Sequence, residues 1–215
     1  MLPACKLWLN DGKNNEATMS NEMTKFPKVY SMSSGNATKY YWFNIVEKVV
    51  KGENFEERIR SGHFTFGRYS GTTEADCHSS TLALKFFSDR VVKVLEENQC
   101  LTFNKFKINT QAELKTKSDY YFIKPIHAIP KVENQDIFSQ PDLEKYCLEN
   151  HTDKSRLLVL SKDIYYLYTD FAKWNGDDIF TVVDTNVILI TDKIKLALES
   201  HSMKNIRFKE IPFLC

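Results

Sequence analysis

The run "NVILITDKIKLALESHSMKNIRFKEI", residues 186–211, restricts the fold more than any other stretch of this chain. It opens on an apolar, strand-like stretch and passes a hydroxyl residue followed by an acid. It continues with apolar residues at helical spacing and closes on alternation. A second run of the same plan, "LALKFFSDRVVKVLEENQCLTFNKFKI", occupies residues 82–108. Each reads as strand, cap, helix, turn, strand, because the apolar period changes from two to 3.6 and back. In the first copy Ser88 stands at the N-cap position, Asp89 lies where the helix dipole favours negative charge, and Val91, Val92, Val94 and Leu95 form the stripe. In the second, Thr191 and Asp192 take those places, with Ile194, Leu196, Ala197 and Leu198 marking the helix. Aligning the caps aligns Leu95 with Leu198, and the returning strands then require a small gap.

The rest of the chain supplies more strands than helices. "KVYSMSS", residues 28–34, reads as a strand ending in a turn at Gly35-Asn36. "YYWFNIVEKVVKG", residues 40–52, reads as a strand running into a helix. Aromatic alternation at His63, Phe64, Phe66 and Tyr69 favours strand and turn. "DYYFIKPIHAIP", residues 119–130, begins as a strand that Pro125 and Pro130 end or confine to an edge. "SQPDLEKYCLEN", residues 139–150, has Pro141 near a helix start. "RLLVLSKDIYYLYTDF", residues 156–171, reads as strand, turn and strand or short helix, and Asn175-Gly176 is a turn. The expected class is α+β, with the two units in a mixed sheet and helices on its faces. No low-complexity linker divides the chain, so residues 1–215 are expected to form one continuous two-lobed domain. The polar, Asn-rich start within residues 1–27 is expected to be loosely ordered.

Composition narrows the function classes. A net charge of +1 gives no global field toward nucleic acid or anionic membrane. The five cysteines, at 5, 77, 100, 147 and 215, are odd in number and widely spaced, which fits reduced thiols rather than a disulfide framework or zinc site. With no signal-peptide pattern and no apolar run of membrane-spanning length, a cytoplasmic protein is expected. Motifs for dinucleotides, P-loop phosphates, HExxH metal sites and nucleophile elbows are lacking from the sequence. The local cluster Asp76, Cys77 and His78 places a thiol beside an imidazole, but a cysteine nucleophile normally takes its base from elsewhere in the fold. His127, among apolar residues, reads as a core or edge histidine. No catalytic residue, metal or cofactor is assigned.

Charge is unevenly spread. Residues 133–192 hold five Lys and Arg against twelve Asp and Glu, while the flanking segments are basic. An acidic face of this kind suits docking to a basic partner. Tyr165, Tyr166, Tyr168 and Trp174 lie in the same segment and could anchor it. Residues 163–184 are therefore the expected partner-binding surface, with Asp170, Trp174, Asp177, Asp178 and Asp184 as its candidate contacts.

The succession "FFSDRVVKVLEENQCLTFNKFKI", "DYYFIKPIHAI" and "DDIFTV…NVILITDKIKLALESHSMKNIRFKEI" resembles a group of bacterial immunity proteins from polymorphic-toxin systems. The likeness spans roughly residues 82–211. It is strongest over 178–211 and weaker over 82–130. Its shared positions are Ser88, Leu95, Phe103, Phe180, Thr191, Leu198, Ile206 and Phe208. The family's glycine before the final strand is replaced here by Lys204 or Asn205. The resemblance implies a protein that captures a cognate toxin effector domain, occluding its active site without chemistry of its own, and that binds neither nucleic acid nor membrane. Two alternatives stand beside it: a small hydrolase using Cys77, His78 or the Asp177/Asp178 pair, and a ligand-binding or signalling adaptor.

Overall fold

A computed structural model describes residues 26–35, 38–47, 55–62, 64–114, 116–130, 148–149, 157–162 and 165–213. The start expected to be loosely ordered within 1–27, the helical end of the 40–52 stretch and the helix expected in 139–150 lie largely outside the described residues. The class is α+β, and its strands divide between two sheets and a hairpin.

The first unit folds as β5 (Lys85–Ser88), α2 (Asp89–Glu97) and β6 (Phe103–Lys107). The second folds as β13 (Ile188–Thr191), α3 (Asp192–Ser200) and β14 (Ile206–Ile211). In neither unit do the two strands touch. In the first, β8 (Tyr120–Pro125) lies between them, antiparallel to both. In the second, that place is taken by β1 (Val29–Ser34), from the other end of the chain. Registers agree residue for residue: Phe87 faces Tyr121 as Ile190 faces Tyr30, and Lys105 faces Ile123 as Phe208 faces Met32. The match extends outward. β4 (Cys77–Ser80) runs antiparallel to β5, as β12 (Ile179–Val182) does to β13. Beyond these lie the parallel neighbours β2 (Trp42–Ile45) and β9 (Ala128–Ile129). Thus β6-β8-β5-β4-β2 and β14-β1-β13-β12-β9 are one five-strand arrangement made twice. The first copy is widened to seven strands by β3 (Thr65–Ser70) and the short β7 (Asn109–Thr110). A hairpin of β10 (Leu157–Lys162) and β11 (Tyr165–Asp170) precedes β12.

The gap expected between the returning strands is not there. Cap, helix, turn and strand follow at a constant offset, from Ser88 and Phe103 to Thr191 and Ile206. The turns agree because both helices stop alike. Gln99 and Ser202 take left-handed φ of 59° and 51°, with N–H groups bonded back to Glu96 and Glu199. Asn205, before the final strand, also takes a left-handed φ of 61°. Asparagine tolerates that region better than most residues, so it suits the turn.

Three cores result. Between the sheets, α2 and α3 touch and bury Val91, Val92, Val94, Leu95, Ile194 and Leu198 against Tyr30, Phe87, Ile123 and Ile190. The outer face of the first sheet is packed with Phe43, Phe66, Phe86 and Tyr120, joined by Ile59 of α1 (Phe55–Arg60). The outer face of the second carries Val29, Ile129, Phe180 and Leu189, covered by Phe171 and the half-buried Trp174. Strand periodicity produces the alternation: in β1 and β8, inward and outward residues feed different cores. Among the described residues no helix is long and apolar enough to cross a membrane.

Candidate functional site

The acidic segment becomes a tight loop between the hairpin and β12. Asp170 is only 3% exposed and accepts a hydrogen bond from Ala172 N at 2.9 Å, capping the 3-10 turn Phe171–Lys173. Trp174 stacks on Phe171 with centroids 4.8 Å apart and planes 13° from parallel. Its indole N–H donates to Asp177 O at 2.9 Å. The next turn is braced by Asn175, whose Oδ1 accepts from Asp177 N at 3.1 Å and whose Nδ2 donates to Asp177 Oδ2 at 2.8 Å. Gly176 between them has φ +95° and open space around its missing Cβ. Asp178 Oδ1 accepts from Thr191 Oγ1 at 2.6 Å, and Oδ2 pairs with Lys193 at 2.5 Å.

These contacts sort the five candidate residues. Asp170, Trp174 and Asp178 have structural work: a cap, a lid on the outer core, and a brace at the start of α3. Asp177 stands half-buried at the loop tip. Asp184 is exposed and lies at the other end of β12, in the turn to β13, with a left-handed φ of 56°. The structure therefore gathers four of the five and separates Asp184 from them. β11 carries Tyr165, Tyr166 and Tyr168, whose side chains lie outside what is described.

The same brace exists in the first unit, where it is more deeply buried. Ser88 and Thr191 occupy N-cap positions in extended backbone, yet neither hydroxyl bonds to its own helix. The expected capping bond is replaced by one to a carboxylate ahead of the neighbouring strand: Ser88 Oγ donates to Asp76 Oδ1 at 2.7 Å, as Thr191 does to Asp178. In a capping bond the hydroxyl oxygen would accept from a first-turn N–H; here the hydroxyl instead donates to a carboxylate fixed across the sheet, a charge-assisted bond. Asp76 also takes both contacts of Arg90 Nη1, at 3.0 and 3.2 Å, and the backbone N–H of Lys204 at 2.7 Å. It thus ties the first unit to the turn before β14.

Beside it, Cys77 and His78 occupy β4. Cys77 has no exposed surface, and burial pushes its thiol well above the usual range. Such a thiol is a poor nucleophile. His78 is likewise fully buried. Ala75 N donates to its Nε2 at 3.1 Å, which leaves Nδ1 to carry the proton and donate to Tyr41 O at 2.9 Å. Burial lowers its pKa to about 4, against the raising effect of the Tyr41 carbonyl and of Glu74 and Asp76. Tyr120 Oη closes the network, donating to Ala75 O at 2.8 Å and lying 3.1 Å from Glu74 Oε1. His127 Nε2 is buried and has no hydrogen-bond partner among the described residues. Among the described residues no three His, Cys, Asp or Glu side chains converge as a metal site would require.

Neither the brace role of Asp76 nor Lys85 carries a local sequence signal. Both become visible when the repeat is extended upstream, since Asp76-Cys77 aligns with Asp178-Ile179, and Lys85 aligns with Ile188. Compared with known proteins, the chain matches no family model, and no curated protein sequence matches it.

Proposed function

We propose that this chain is an immunity-type binding protein, which captures a cognate toxin domain through the loop between β11 and β12 and blocks its active site. The observation that carries this reading is the self-locked loop Phe171–Asp178. Stacking of Trp174, two Asn175 bonds and the Asp178 brace fix its backbone, while Asp177 remains at the tip. A loop already held in one conformation loses little entropy on binding, which is the main cost a small interface must overcome. The resemblance in the duplicated units supports the same division of labour. Their shared positions serve as caps and core, leaving recognition to segments the duplication does not repeat. The acidic excess of this part of the chain suits a basic partner such as a nucleic-acid-cleaving toxin domain. The cytoplasm, where such a toxin would act, is the proposed site of action.

The test is co-purification with a co-expressed candidate toxin domain, followed by titration of Asp177→Arg. A stoichiometric complex with loss of toxin activity is expected, and the variant should weaken it at least tenfold while its far-UV circular dichroism is unchanged. An unaltered affinity in the folded variant removes this loop from the interface. Asp178 is less suitable, since its replacement disturbs Thr191 and Lys193, whereas Asp177→Arg gives up only the bond from Asn175 Nδ2 at the loop tip.

A further inference from the structure

The duplication also provides an internal control, because each residue of one unit shows what the fold accepts at the matching place in the other. Most matched interior positions are apolar in both copies. Lys85 departs from that pattern: it faces Ser79 as Ile188 of the second unit faces Thr181, and Ile188 is buried in the core between the sheets. The fold therefore accepts isoleucine at this position, and a half-buried ammonium there is costly unless something repays it.

Lys85 opens onto a cleft of about 410 Å³ between the end of the first sheet and the β12–β13 turn. The walls are mostly apolar, with Leu84, Phe122, Pro125, Val183 and Val187 among them. Lys124 and Asp184 are the other charged residues lining it. Lys85 Nζ donates to Ser79 Oγ at 2.9 Å, and Ser79 is in turn bonded to Ser34 Oγ across the two sheets. Among the described residues no carboxylate is paired with Lys85. Burial draws its pKa below the usual lysine value. A cation held in place by one neutral hydroxyl, with hydrocarbon around it, leaves donor capacity directed at the cleft.

We propose that this cleft is a binding site for a small amphiphilic carboxylate, its headgroup paired with Lys85 and its hydrocarbon part lying between Phe122, Val183 and Val187. Cleft volume and lining are those of small-molecule sites, which run from roughly 300 to 1,000 Å³ with few polar groups. The acid supplies the missing counter-charge, and the walls exclude water from the pair.

Isothermal titration with octanoate, octanol and octylamine tests this on the full chain. Octanoate should bind, octanol should bind at least tenfold more weakly, and octylamine should not bind. Lys85→Ile, the residue the duplicate already uses, should lower octanoate affinity at least tenfold without lowering Tm, and Lys85→Met should do the same. Val183→Trp, which fills the cleft from its exposed rim, should also abolish binding. The proposal is overturned if octanoate fails to bind the unaltered protein, or if both Lys85 variants bind it as tightly as the parent.

Discussion

The paired braces Asp76 and Asp178 allow a matched comparison within one molecule. Replacing Asp76 by Ala removes a carboxylate that is 4% exposed and satisfies Ser88 Oγ, Lys204 N and Arg90 together. Breaking a buried pair by deleting one partner costs about 3–5 kcal/mol. Arg90 is half-exposed and can turn to water, so the lower part of that range applies, about 3–4 kcal/mol. At Asp178 the carboxylate is 22% exposed and Lys193 more than half exposed. Loss of the Thr191 bond costs about 1 kcal/mol, and the exposed ion pair adds less than about 1 kcal/mol. Asp178→Ala should therefore cost about 1–2 kcal/mol, roughly 2 less than Asp76→Ala. Urea denaturation reads the difference. At a slope of about 2–3 kcal/mol per molar, the Asp76 variant should lose about 1–2 M of midpoint and the Asp178 variant about half a molar. If the two variants unfold at the same urea concentration, or if the Asp76 variant loses less than about 1 kcal/mol, burial does not govern the strength of the brace.

Further outcomes follow from other sites. His78 is neutral in the fold with its pKa near 4, whereas the unfolded chain binds a proton below about pH 6.5. Stability is then complete above about pH 6.5 and declines as pH falls toward 4, by about 2 kcal/mol between about pH 7.5 and about pH 5. His78→Phe, matching Phe180 of the second unit, should flatten the slope of urea midpoint against pH, and an unchanged slope would assign it to other groups. Gly71→Ala should cost more than about 3 kcal/mol, because its Cβ would fall 2.0 Å from the Tyr40 carbonyl oxygen at φ +79°. Gly176→Ala meets nothing and should cost only about 1–2 kcal/mol for its left-handed backbone; equal melting temperatures for the two variants would refute the contrast. Native protein at about pH 8 should leave Cys77 and Cys100 unalkylated by iodoacetamide, since Cys77 is fully buried and burial raises the Cys100 thiol to about 12. Labelling of either residue in mass spectra before urea is added would contradict this.

The units themselves were legible because their signals are local. A hydroxyl-acid pair before an apolar stripe marks a helix start, and alternation after a turn marks a strand. The N-cap places of Ser88 and Thr191 can be read from the sequence, but the partners of their hydroxyls cannot. Asp76 and Asp178 lie more than ten residues upstream, and only strand pairing brings them to the caps. The same limit hid the middle strands. Nothing in "KVYSMSS" shows that it belongs between β13 and β14, since its partners are near the far end of the chain. For the candidate surface, the turn at Asn175-Gly176 could be read directly. That Asp170 and Asp178 are structural could not, because a carboxylate's partners are set by packing rather than by composition.

The position of β1 bears on how the molecule is made. The first five-strand arrangement draws all its strands from residues 42–125, a continuous stretch that can pair as soon as it is synthesised. The second needs Val29 opposite Ile211, so β1, which lies between β13 and β14, is made long before either of its flanking strands. Pairings of such long sequence separation form slowly. The two halves, alike in architecture, should therefore differ in folding order. The first provides a formed sheet and helix early, and β1 remains without its flanking strands until β13 and β14 have been made. Until then its bare edges are open to other chains, and the half that bears the proposed toxin-binding loop is the last to be completed.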